Sequence, residues 1–320
     1  MMLPDNDPRL LPISLRKELI AAGYTDQALA KALRSGVLAR PRRGAYVDGP
    51  TWERLTVEQQ YAVRCRAVYL KSQTEVALSH TSRLSMTESP LLGLDLADAH
   101  LRRLDGNSGR REAGVAQHGG EIREGDLIEA NGLVMVGDTR TALDMTMIVP
   151  TDVSLGIVCD LLHRRRTSLP ALRDRYDDQM QRHPHSLRTD LVLRLSDPRI
   201  ESIGEARTLH FLFINHFPKP VLQYEIYDHG GRLAGRLDFA YPELGFWIEF
   251  DGRVKYEKYA RPGESVADVV IREKDRENQI AEITGWRCFR IVWADLVDPV
   301  RLAARLRRFM QSVRASRRGR

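Results

Sequence analysis

Apolar positions near the start of the chain repeat at helical spacing. Leu15, Leu19 and Ile20 line one face of a first helix that stops at Gly23. Thr25 is placed to cap a second helix over residues 26–34, with Asp26 in its first turn and Ser35-Gly36 at its end. Residues 37–40 and 44–47 read as two short strands around a basic turn. Helix, short turn, helix and hairpin together predict a winged helix-turn-helix. Residues 54–70 follow as one helix, with Leu55, Val57, Tyr61, Ala62 and Cys65 along its stripe. From 76 to 150 the pattern is mixed, with strands near 97–100 and 133–136 and a helix opening at Asp138. Residues 152–195 read as helical, with a polar, linker-like stretch at 179–187.

The second half has a sharper rhythm. Gly204-Glu205-Ala206-Arg207 opens a helix reaching about His216, and Pro218 and Pro220 break it. Residues 221–227 alternate as a strand, Asp228-His229-Gly230-Gly231 makes a tight turn, and residues 232–241 form the second strand. Pro242-Glu243-Leu244-Gly245 turns the chain into a third strand, 246–251. An amphipathic helix over 266–284 ends at Gly285. A strand over 286–292 and a closing helix from 299 to about 313 complete the order α-β-β-β-α-β-α. The fold class is therefore α/β, α+β overall. The expected domains are 1–75 (winged helix-turn-helix and the following helix), 76–195 (mixed middle domain and helical connector) and 196–320.

Composition narrows the function classes. No apolar run approaches the ~20 residues that span a bilayer, and the N-terminus has no basic start followed by an apolar core, so no membrane partner and a cytoplasmic location are expected. Cys65, Cys159 and Cys288 lie far apart in apolar surroundings, the pattern of small buried hydrophobes rather than of disulfides or a thiolate zinc site. The formal net charge is +6, and residues 301–320 hold eight arginines and no acid. Arg40, Arg42 and Arg43 on the wing, with Lys31 and Arg34 on the second helix, are the candidate contacts to DNA phosphates and bases.

The candidate chemistry is acidic. Asp238 and Glu249 sit on two strands joined by one turn, and neighbouring strands run roughly 5 Å apart. Asp251, two positions beyond Glu249, points to the same face. Three carboxylates crowded among Leu237, Phe239, Trp247, Ile248 and Phe250 are costly unless a cation neutralises them. Glu205 in the preceding helix supplies a further oxygen donor. Oxygen-only ligands suit Mg²⁺ or Mn²⁺, and Lys255 or Lys274 would neutralise charge on a transferring phosphoryl group. The bland alternative is that these acids cap turns or pair with Arg236, Arg253 and Arg290. Ser79-His80 makes no recognisable hydrolase triad, His183-Pro184-His185 has poor metal spacing, and His163-Arg164-Arg165-Arg166 fits a solvated helix end. No glycine-rich phosphate loop is present.

Gly204-Glu205, Leu237-Asp238-Phe239-Ala240, Ile248-Glu249-Phe250-Asp251-Gly252 and Gly285-Trp286 with Arg290 resemble the very-short-patch repair endonuclease-like branch of the PD-(D/E)xK nucleases, over about residues 200–300. The resemblance implies a restriction-endonuclease-like αβββαβ core with a mixed sheet flanked by helices, and metal ligation by Glu205, Asp238 and Glu249 with Asp251 close by. That superfamily reads acid-x-lysine on its third strand. Here the strand reads Glu249-Phe250-Asp251, and Lys255 stands where a histidine is common. The N-terminal unit, with Gly23-Tyr24-Thr25 and Arg42-Arg43-Gly44-Ala45-Tyr46-Val47, resembles the winged-helix domain of type IV abortive-infection antitoxins. Ser79-His80-Thr81-Ser82 and Arg140-Thr141-Ala142-Leu143-Asp144 resemble the domain that follows it. The expectation is a Mg²⁺- or Mn²⁺-dependent deoxyribonuclease with DNA as partner. The alternative is a non-catalytic, antitoxin-like transcriptional regulator with a cognate toxin as partner, and a protein-interaction module without DNA stands third.

Overall fold

The computed structural model describes residues 3–179, 186–252 and 266–318. Its chain separates into two compact units. One holds 1–149 and 166–189, the other 150–165 and 190–320.

The first unit begins with a three-stranded sheet. β1 (Ser14–Leu15) pairs antiparallel with β3 (Ala45–Asp48), which also pairs with β2 (Leu38–Arg42). Leu15 stands opposite Ala45 in that register. The expected helical stripe beginning at Leu15 is therefore corrected. Leu15 is a strand residue, and α1 (Arg16–Ala21) starts after it. α2 (Asp26–Arg34) forms where expected, and Thr25 Oγ1 accepts a hydrogen bond from the Ala28 N–H at 3.1 Å. The helix expected over 54–70 forms as α4 (Val57–Lys71), starting three residues later, and a separate short helix, α3 (Gly49–Glu53), precedes it. A capping box explains the break. Thr56 Oγ1 accepts from the Gln59 N–H at 3.3 Å, and Gln59 Oε1 accepts from the Thr56 N–H at 2.9 Å. Leu11, Val47 and Val63 make one small core here, and Leu15, Ala45 and Ala67 another.

A six-stranded mixed sheet completes this unit, built from β4 (Val76–Leu78), β5 (Ala99–Arg103), β6 (Arg110–Glu112), β7 (Val115–His118), β8 (Leu127–Ala130) and β9 (Leu133–Val136). Its order is β6-β7-β5-β4-β9-β8. α5 (His80–Leu84) follows β4 directly. Of the next helices, α6 (Asp138–Ile148) and α8 (Leu169–Gln179) count with this unit, whereas α7 (Thr151–His163) counts with the other. The boundary between units also falls within α9 (Ser186–Leu195).

The second unit carries α10 (Ile203–Ile214), β10 (Val221–Tyr227), β11 (Leu233–Tyr241), β12 (Phe246–Asp251), α11 (Val266–Thr284), β13 (Arg287–Val292), α12 (Trp293–Val297) and α13 (Pro299–Arg318). The sheet order is β10-β11-β12-β13. The first three strands run antiparallel, and β13 lies parallel to β12. The β10–β11 turn forms as its residues dictate: Asp228 Oδ1 accepts from the Gly230 and Arg232 N–H groups at 2.8 and 2.9 Å, and Gly231 takes φ +75. α11 lays Ile280 against Ala240 and Trp247, burying one face of the sheet. On the aromatic side, Phe250 meets Trp293 edge-on at 4.9 Å and Phe246 meets Phe309 at 5.6 Å. Helices therefore cover the sheet, as an α+β core requires. No described helix is long and apolar enough to cross a membrane.

Candidate functional site

Acidic side chains from α10, β11 and β12 meet in one cavity of about 430 Å³ in the second unit. The β11–β12 register pairs Phe239 with Ile248 and Ala240 with Trp247. Continued by one step, it sets Asp238 across from Glu249. Both line the cavity, as do Glu205 and Asp251. Glu205 is 2% exposed, and Asp238 and Glu249 are each 8% exposed. Local structure explains how Glu205 reaches the cavity. Ser202 caps α10 by accepting from the Glu205 N–H at 3.2 Å, and its hydroxyl donates back to Glu205 Oε1 at 2.7 Å. Glu205 Oε2 accepts from the Glu201 N–H at 3.0 Å and from Gln223 Nε2 at 3.2 Å. Gly204, the residue before it, lies so close to Phe250 that a β-carbon would stand 1.9 Å from that ring. A side chain at 204 would push α10 away from β12. Asp238 Oδ2 accepts from the Phe250 N–H at 2.9 Å, fixing the carboxylate across the strand pair.

Arginines complete the lining. Arg276, on α11, approaches Glu249 Oε1 at 3.5 Å and pairs with Glu273 at 2.6 Å. Burial opposes its charge, but Glu273, Glu249 and Asp238 outweigh that and raise its pKa above the ordinary arginine value. Arg290 pairs with Asp251 at 3.1 Å and with Glu277, and these partners likewise outweigh its burial. Arg236 pairs with Glu201. The expected pairing of acids with arginines thus holds for Asp251 and Arg290, whereas Arg236 reaches Glu201 instead. Lys274 is exposed on α11 and is not among the residues lining the cavity. Lys255 and Arg253 lie outside the described residues. Nothing in the acidic spacing singles out Arg276. Its signal lay one helical turn away: Ile280 is the fully buried anchor of α11, and position i−4 falls on the same face.

The winged element presents its basic residues in two places. Arg40 and Arg43 line a cleft with Arg16, Lys17 and Lys71. Arg16 pairs with Asp26 at 2.6 Å, and Lys71 Nζ donates to the Arg43 carbonyl. Lys31 and Arg34 are exposed on α2, one turn apart. Arg42 is half-buried, and its guanidinium donates to the Ala113 carbonyl at 3.5 Å. The cysteines are free thiols. Cys65 and Cys159 are buried and Cys288 is partly so.

Residues 15–47 match the family model described as "Transcriptional regulator, AbiEi antitoxin". These are the residues from β1 to β3, so the winged element alone carries the match. The chain is also similar to two proteins of Mycobacterium tuberculosis, "Uncharacterized protein MT2308" and "Uncharacterized protein Rv2248". Each is 34% identical over 124 residues, a segment spanning 38% of this chain and 42% of the relative.

Proposed function

We propose that this chain binds duplex DNA through its winged element and hydrolyses phosphodiester bonds at the acidic cavity of its second unit. The observation that carries the reading is Asp238 set across from Glu249 in one cavity with Glu205, all three nearly enclosed. Such a donor set is all oxygen and crowded with like charge, which suits a hard divalent cation such as Mg²⁺ or Mn²⁺. Bound by Glu205, Asp238 and Glu249, that ion would supply Lewis-acid polarisation of a phosphoryl oxygen and a lowered pKa for attacking water. Glu205 is prepositioned by Ser202, Gln223 and the Glu201 N–H, so it loses little freedom on binding. Arg276 stands in for the lysine missing from β12. Its fixed charge beside Glu249 is placed to neutralise charge developing on the scissile phosphate. Asp251, held by Arg290, positions that arginine at the cavity wall.

Regulation without catalysis is the second reading. It is favoured by the antitoxin-regulator match at residues 15–47 and by the arginines already facing the acids. In that reading a cognate toxin is a natural protein partner, and the second unit is a binding platform.

Incubation of supercoiled and linear DNA with the protein and Mg²⁺ or Mn²⁺ separates the two. Nicking or cutting is expected with the wild type, reduced by roughly 100-fold or more in Asp238→Asn and Glu249→Gln. Retention of the same DNA in a mobility-shift assay shows that the variants still fold and bind. Sequence-selective binding by the wild type without any cleavage, or cleavage equal in all three proteins, contradicts catalysis at this cavity.

A further inference from the structure

The six-stranded sheet gathers three imidazoles that take no part in the cavity described above. His100 lies on β5 and His118 on β7. The parallel register sets Arg102 beside His118, so His100, Arg102 and His118 share one face of the sheet. His80, the first residue of α5, closes over them: its ring stacks on His118 with centroids 3.8 Å apart, and His100 stacks on His118 at 5.2 Å. His100 Nδ1 and His118 Nε2 stand 2.9 Å apart. One potential ligand atom from each of the three rings lies within 4.8 Å of the other two.

α5 is clamped to β5 so that this arrangement persists. The Ser79 N–H donates to the His100 carbonyl at 3.1 Å, and Ser82 Oγ accepts from the His100 N–H at 2.6 Å. His80 sits at φ +48, in the left-handed region, at the first residue of α5. Its Nδ1 is engaged with Ser79 Oγ at 3.0 Å, which leaves Nε2 as the nitrogen available to an ion. An outer hydrogen bond that fixes one ring nitrogen and frees the other is the usual support of a metal-bound histidine.

The charge balance also permits a cation. Arg102 is the nearest fixed positive charge on this face, but its guanidinium is committed to Asp144 at 2.8 Å and to the Gly119 carbonyl. Arg140 pairs with the other oxygen of Asp144 at 2.8 Å. Burial, then His118, Arg102, His100 and Arg140, push His80 well below the ordinary histidine pKa. Burial, then His100 and Arg102, bring His118 down to about 4, against a smaller opposing pull from Asp144. For His100, burial dominates as well.

We propose that His80, His100 and His118 form a site for a single divalent transition-metal ion of the zinc class, held by three imidazole nitrogens with a fourth position open. Nitrogens on a tetrahedral zinc stand about 3.3 Å apart, and because the His80 and His118 rings stack at 3.8 Å, closure requires them to separate and turn until their in-plane nitrogens converge on the ion. Imidazole-only ligation selects zinc, nickel, cobalt or copper over magnesium, which separates this site from the carboxylate cavity. Bound there, the ion would tie the start of α5 to β5 and β7 and stabilise the first unit by mass action. The inference does not depend on the proposed nuclease or regulator reading.

The test uses the full chain without a histidine tag, stripped with a chelator and titrated with ZnCl₂ against a chromogenic zinc indicator. A single tight equivalent is expected, with a rise in melting temperature and with visible absorption from the Co²⁺ form typical of a four-coordinate nitrogen and oxygen site. His118→Asn and His100→Asn, at partly buried positions, should each weaken zinc binding by at least tenfold while circular dichroism stays unchanged; His80→Ala should do the same wherever it folds. Absence of a stoichiometric equivalent in the wild type, or equal zinc binding by the wild type and both asparagine variants, overturns the site.

Discussion

Glu205 reaches the acidic cavity because its neighbour is a glycine. The Gly204 backbone packs on the Phe250 ring, and a β-carbon there would fall 1.9 and 2.3 Å from two ring carbons. Phe250 cannot yield easily, since it is itself wedged edge-on against Trp293. Gly204→Ala is therefore expected to destabilise the second unit by about 3 kcal/mol, in the upper range of overpacking penalties. Urea denaturation followed by tryptophan fluorescence reads this directly, because Trp247 and Trp293 both lie in that unit. A change below about 0.5 kcal/mol would mean that α10 does not need this close approach to set Glu205 in place. Among the acids themselves, the legible part was the pair Asp238 and Glu249. One short turn joins their strands, so eleven positions of sequence separation become direct opposition. Arg276 was not legible in that way, because it arrives on α11 from beyond the segment that the hairpin defines.

Elements differ in how openly the sequence declares them. β10 to β12 and α11 were readable because each is long, and the turns between the strands are marked by Asp228-His229-Gly230-Gly231 and Pro242-Glu243-Leu244-Gly245. α2 was readable from its cap. Thr25→Ala removes the acceptor for the Ala28 N–H and should cost about 1 kcal/mol. Hydrogen exchange should show it as roughly fivefold weaker protection of α2 amides, with other elements unaffected. Unchanged protection would indicate that packing through Leu29, not the cap, holds the helix. β1 was missed because two residues carry no period; Leu15 matched a helical stripe while actually pairing with Ala45. The six-stranded sheet was missed in outline for the same reason. Its strands are three to five residues long and come together in an order unlike that of the chain. The histidine trio depends on that order. His80, His100 and His118 become neighbours only through α5 docking on β5 and through the parallel β5–β7 pair.

Across the whole molecule, the two kinds of chemistry reside in different compact units. The winged element with Lys31, Arg34, Arg40, Arg42 and Arg43 belongs to the first, and the Glu205, Asp238 and Glu249 cavity to the second. That separation has an electrostatic logic. A polyanion is attracted by exposed arginines and lysines but repelled by enclosed carboxylates, so on the proposed reading DNA would approach the acidic cavity only when cations offset its charge. Arg276 supplies one such charge permanently, and a divalent ion would supply the rest. The account therefore stands or falls on cation binding by the carboxylates. The most direct measurement is a Mn²⁺ titration followed by electron paramagnetic resonance of the free ion, in a His100→Asn, His118→Asn background that takes the histidine site out of the count. The account predicts one Mn²⁺ bound per chain of that background, competed by Mg²⁺ and lost when Asp238→Asn or Glu249→Gln is added. No binding by the background chain, or the same binding in both variants, would contradict it.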